Sequence, residues 1–117
     1  MAVTTSVAQN YNAKRATVTY AGLAGGDTIT PDMNVGDVHL IPFGAGNLTL
    51  ANPLNPAQGY ILTLRFTQDG TGGRTVTWGA AFKKNLTLSA GAGAIDEVKF
   101  FYDGTNWNQT GSTLNVT

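Results

Sequence analysis

His39 is the only histidine in the chain, and Asp37 lies two residues before it. On an extended segment, side chains two apart share a face, so the pair could form an acid–base couple or give two ligands to a metal. A zinc centre needs a fuller donor set, and nothing elsewhere in the sequence completes one. The expectation is a structural histidine, with no metal and no cofactor. Asp96 and Glu97 are adjacent, so on a strand they point to opposite faces and cannot share a substrate. Glu97 and Lys99 share a face and read as a surface ion pair of small energetic weight. There is no Gly-x-Ser-x-Gly nucleophile motif. The glycine clusters at Gly22–Gly26 and Asp69–Gly73 lack the Gly-Lys-Ser/Thr ending of a phosphate loop and read as turns. These residues predict a non-enzyme without catalytic residues.

Trp78, Trp107, Tyr60 and Tyr102 could form a sugar-stacking platform. The alternation of their segments places all four on apolar inner faces, so a core role is expected. Four Asn-x-Thr sequences, at Asn47, Asn85, Asn108 and Asn115, match the glycosylation pattern but read as coincidence in a chain this rich in Asn and Thr.

Composition narrows the class. The 117 residues include 15 glycines and only 12% charged residues, which suits one all-β domain with many turns. Formal net charge is zero, which excludes binding to nucleic acid built on phosphate neutralisation. Cysteine is absent, so neither a disulfide framework nor a thiolate metal site can form. No apolar run approaches the roughly 20 residues of a membrane-spanning helix, so no membrane partner is expected. The first residues lack the charged start and apolar core of a signal peptide, which predicts synthesis in a cytoplasm.

The elements that must position these side chains centre on Gly59–Trp78. From Tyr60 to Thr67 large apolar residues alternate with Thr, Ile and Arg, a strand pattern. The Asp69–Gly73 cluster predicts a hairpin with Gln68 opposite Arg74, Phe66 facing Val76 and Leu64 facing Trp78. Further short strands are predicted at Ala16–Tyr20, Asp27–Thr30, Asp37–Phe43, Asn47–Leu50, Leu86–Leu88 and Ala94–Tyr102. Pro42 cannot donate to a ladder and marks an edge or a bulge. Asp103-Gly104 is a strong hairpin signal. A loop at Asp103-Gly104 sets Trp107 opposite Phe100, and a loop at Gly104-Thr105 sets it opposite Tyr102. Together these predict a jelly-roll-like β-sandwich over residues 15–117, of about seven to eight short, mainly antiparallel strands. A flexible arm over residues 1–14 precedes it.

Four segments carry a family resemblance. They are Asp27-Thr-Ile-Thr-Pro-Asp, Asn47-Leu-Thr-Leu-Ala-Asn-Pro-Leu-Asn-Pro, Phe66-Thr-Gln-Asp-Gly-Thr-Gly-Gly-Arg-Thr-Val-Thr-Trp and Phe101-Tyr-Asp-Gly-Thr-Asn-Trp. In this order they resemble a β-domain of tailed-bacteriophage virion proteins, found in tail-fibre, collar and head-decoration components. The resemblance spans roughly residues 27–109. It implies a virion structural module, often oligomeric, with no catalytic residues. Gln68, Asp69, Arg74, Trp78, Asp103, Gly104 and Trp107 look like its turn and core signature.

The chain shows no coiled-coil stem, collagen-like repeat or second domain. That favours a head-decoration or capsid-stabilising protein bound to other virion proteins, made in the host cytoplasm and carried in the virion. The alternative is a tail or fibre module that binds a host glycan. The resemblance also implies a homotrimer. Sheet edges need protection, and the alternating tail Leu114-Asn-Val116 is expected to supply it by pairing with a neighbouring subunit. Val3, Val7 and Tyr11 are expected to anchor the arm on the capsid, since an extended polar segment can wrap a partner surface.

Overall fold

The computed structural model describes residues 16–116, which contain nine strands and no helix. In chain order they are β1 (Thr17–Thr19), β2 (Thr28–Ile29), β3 (Val38–Pro42), β4 (Leu48–Leu50), β5 (Ile61–Thr67), β6 (Val76–Trp78), β7 (Phe82–Lys83), β8 (Ile95–Tyr102) and β9 (Trp107–Thr113). Val3, Val7 and Tyr11, and the expected boundary at residue 14, lie outside the described residues.

From β1 to β6 the chain coils. Odd-numbered strands join one sheet and even-numbered strands a second, so β1–β3–β5 and β2–β4–β6 form two parallel ladders. β8 then pairs antiparallel with β5, β9 with β8, and β7 closes the far edge beside β9. The six-stranded sheet therefore runs β1-β3-β5-β8-β9-β7, facing the three-stranded β2-β4-β6. All-β structure agrees with the sequence reading. The antiparallel jelly-roll sandwich does not: five of seven pairings are parallel, and the stacking resembles a short solenoid.

The predicted β5–β6 hairpin is the source of that error. Alternation identifies a strand's faces and not its neighbour. Phe66 pairs with Ile41 and Asp96 rather than Val76, and Leu64 with His39 and Val98 rather than Trp78. Gln68 does meet Arg74, but through its side chain: Oε1 accepts the Arg74 N–H at 3.0 Å and Nε2 donates to the Arg74 carbonyl at 2.8 Å. The carboxamide mimics one step of an antiparallel ladder. Beyond it the chain crosses to the second sheet, where Val76, Thr77 and Trp78 pair with Leu48, Thr49 and Leu50.

The alternation itself reports burial faithfully. Leu62, Leu64 and Phe66 point into the space between the sheets and are fully buried, as are Val98, Phe100 and Trp107. Each contributes on the order of 1.5–3 kcal/mol by leaving water. Pro42 sits at the end of an inner strand, not an edge. β1 covers β3 only from Val38 to Leu40, so no neighbour on that side asks Pro42 for an N–H. The Asp103 turn takes the second of its two registers, with Tyr102 opposite Trp107 and the rings 4.8 Å apart. Leu86–Leu88 forms no strand. The C-terminal tail returns to β8: Val116 N–H donates to Ile95 O and Asn115 N–H to the buried Asp96 carboxylate, both at 2.7 Å.

Successive turns of the coil touch backbone to backbone at glycine corners. A methyl group at Gly44 would overlap the Leu23 carbonyl, and one at Gly46 would press on Gly25 Cα. Gly70, by contrast, has open space where its Cβ would lie. Gly44→Ala is expected to destabilise by about 1–3 kcal/mol, the usual cost of forced overpacking, while Gly70→Ala leaves the urea midpoint unchanged or slightly raised. Equal midpoints for the two variants would refute the close-stacking account.

Candidate functional site

In the three-stranded sheet the coil aligns Ile29, Leu50 and Trp78 in one inward ladder. Ile29 and Leu50 are buried because another turn follows each of them. Trp78 belongs to the last turn and is only partly buried. One side of its indole closes the core, edge-on to Phe82 at 5.3 Å and Phe66 at 5.7 Å, and tilted against Phe100 at 5.8 Å.

The chain after Trp78 shapes what remains open. Gly79 N–H reaches Leu50 O at 2.7 Å, and Asn52 Oδ1 accepts from Ala81 N–H at 3.0 Å, which turns the backbone towards β7. Residues 84–88 then run back alongside β6 without pairing as a strand. A groove of about 170 Å³ is left between them, lined by Thr75, Val76, Trp78, Lys84, Thr87 and Leu88. Lys84 Nζ lies over the indole, 5.3 Å from the ring centre. An aromatic face, two threonine hydroxyls and one ammonium within a small apolar trough can stack a pyranose and hydrogen-bond its rim.

Two larger depressions lie on the outer face of the six-stranded sheet. One is lined by Glu97, Lys99 and Gly111, the other by Leu40, Pro42, Arg65 and Thr67. Neither has an aromatic wall. Glu97 and Lys99 share that face as expected, and Glu97 is opposite Arg65 in register. Among the described residues the ion pair that forms is instead Arg74–Asp69, at 2.8 Å.

The other sequence-singled residues stay apart from the groove. His39 is buried, its Nε2–H donating to Gly36 O at 3.0 Å and its Nδ1 accepting from the Tyr20 hydroxyl at 2.9 Å. Burial pulls its pKa below the ordinary value, so the neutral ring is a packing element. Asp96 is buried and accepts from Ser89 and Asn115 N–H groups, while Glu97 faces outward. Trp107 is wholly core, and Tyr60 and Tyr102 pack on the core's flank. Of the four aromatics, Trp78 lines this groove. The sequence reading missed Lys84, although a tryptophan followed by Phe82-Lys83-Lys84 was the available signal.

A family model described as "Putative phage tail fibre C-terminal domain" matches residues 29–107. It spans every strand from β3 to β8 and all six groove residues. No curated protein and no solved structure matches the chain.

The loop that leads into β6 is set by Asp69. Its carboxylate accepts from the Arg74 guanidinium and from the Thr71 and Gly72 N–H groups. These donors, the Arg74 hydrogen bond foremost, hold its pKa at about 2. A depressed carboxyl pKa gives stability that is present above the unfolded value near 3.8 and is lost as pH falls through about 2. An NMR titration of the Asp69 carboxyl carbon is expected to show a midpoint near 2, moving back towards the ordinary carboxyl range in Arg74→Gln. A midpoint already ordinary in the wild type would remove this clamp from the account.

Proposed function

The chain belongs to the phage tail-fibre C-terminal-domain family, and from that membership we propose that it is a host-recognition module of a tail fibre. It is a virion structural component and associates with other virion proteins. In our reading it binds a glycan of the host surface on the Trp78 groove, without chemical turnover. The family match carries this reading, since it favours the tail-fibre alternative over the head-decoration role expected from sequence. Two features of the molecule support it. The groove offers a stacking face with polar groups at its rim, which is how a shallow protein surface holds a sugar. The candidate acids and the single histidine are spent on packing, loop capping or solvent, which supports binding without catalysis. We further propose that the module works as a homotrimer, so that weak single-site affinities add through multivalency.

Trp78→Phe keeps an aromatic ring in the core contacts while shrinking the stacking platform. Labelled wild-type protein is expected to adhere to host cells and to be displaced by the host's purified surface polysaccharide. Trp78→Phe is expected to adhere at least about fivefold more weakly, as stacking losses of this kind cost on the order of 1 kcal/mol or more, with its melting curve little changed. Wild-type adhesion that the polysaccharide does not compete, or unchanged adhesion by a folded Trp78→Phe, would overturn the assignment. Stoichiometric binding to mature capsids in its place would restore the head-decoration role.

A further inference from the structure

Lys84 occupies the position a ligand needs. Its ammonium lies over the open side of the Trp78 ring, where the C–H face of a pyranose would stack. The side chain is exposed and reaches there on a flexible stem. An exposed cation–π contact is weak, so the ammonium moves aside cheaply. What replaces the contact decides which sugars bind. A neutral sugar displaces the ammonium and offers it only hydroxyl groups in return. A sugar bearing a carboxylate offers a charge-assisted hydrogen bond at the rim while its ring takes the indole face.

The charge on Lys84 is available for this purpose. Among the described residues no acidic side chain pairs with it, whereas Arg74, in the loop that leads into β6, is held by Asp69. Lys83 projects from β7 on the side away from buried Phe82 and does not line the groove. The groove thus presents one positive charge, set against one aromatic ring, with Thr75 and Thr87 hydroxyls beside it.

Resting on the glycan reading above, we propose that the sugar unit seated on Trp78 is acidic, a carboxylate-bearing pyranose of the uronic or nonulosonic acid type, with Lys84 as the residue that selects it. A phosphate-substituted sugar fits less well. A phosphate group seeks several converging donors, commonly a bidentate guanidinium or a cluster of backbone N–H groups, and a single ammonium matches one carboxylate.

The test is a glycan array in which each carboxylated sugar is printed beside its methyl ester, with neutral and phosphorylated hexose oligosaccharides in the same series. Affinities of the hits are then measured in solution. Wild-type protein is expected to retain acidic glycans about tenfold more tightly than their esters, the size of effect one charge-assisted contact supplies. Lys84→Gln, an exposed substitution that leaves the fold intact, is expected to bind acid and ester alike. Lys83→Gln is expected to keep the preference. If esters bind as well as acids, or Lys84→Gln keeps the preference, Lys84 does not select charge and only the glycan reading stands. Tighter retention of the phosphorylated series would overturn the carboxylate assignment. If wild type retains no glycan on the array, both this proposal and the reading beneath it fall.

Discussion

Two turns of a coil can run at strand spacing, roughly 4.8 Å, only if the backbone can follow at the corners. Here that condition is met by glycine. Gly36 abuts the Ala16 carbonyl, Gly44 the Leu23 carbonyl and Gly46 the Gly25 backbone, leaving no room for a Cβ. Close corners hold β1, β3 and β5 in one register and β2, β4 and β6 in another. The registers decide which side chains stack inward: His39 beside Leu64 and Val98 in one sheet, Ile29 beside Leu50 and Trp78 in the other. The core, the buried histidine and the position of the groove all follow from that spacing.

The corners also leave backbone groups that no ladder satisfies, and short polar side chains take them. Asn47 Oδ1 receives Thr75 N–H at 2.9 Å, Asn52 Oδ1 receives Ala81 N–H at 3.0 Å, and Asp103 Oδ1 receives the N–H groups of Thr105 and Asn106. Gln68 spans a whole loop, bonding Arg74 on one side and donating to Ser89 O at 3.0 Å on the other. Gln68 is itself buried, and buried polar groups that lack partners are costly. Gln68, Asp69, Arg74 and Asp103, which the sequence reading grouped as a turn and core signature, act here as the loop closures of a coil, with Trp78 and Trp107 as the aromatics that fill it.

This explains what could be read from the sequence. Alternation in Tyr60–Thr67 and Ala94–Tyr102 identified two long strands and their buried faces, because period two reports burial directly. The Asp103-Gly104 turn was legible since the turn and the strands it joins are neighbours in sequence. The coil was not legible. A β5 residue and its β3 partner are some 25 positions apart (Val38 with Thr63), and nothing in a three-residue strand such as Leu48–Leu50 names a parallel neighbour. The glycines that permit stacking looked like those of ordinary turns. Gln68 opposite Arg74 was anticipated correctly as a meeting of residues and wrongly as a hairpin, because a side-chain amide did the pairing.

Trp78 was assigned to the core by the same alternation that correctly assigned Trp107, and the two differ only in what lies beyond them. The six-stranded sheet continues past its last coil strand, since β8 adds to β5 and β9 to β8, and Trp107 is sealed within that continuation. The three-stranded sheet stops at β6. Its inward ladder ends on a tryptophan whose far side is met by residues 84–88, a segment that follows the strand without hydrogen-bonding to it as one. An aromatic placed at the end of a ladder has a rigid, buried side to hold its position and an open side to meet a ligand. Pre-organisation of this kind lowers the entropic cost of binding. The place where the coil ends is thus also the place where this domain leaves an aromatic partly open, with the Lys84 ammonium resting on it above the core.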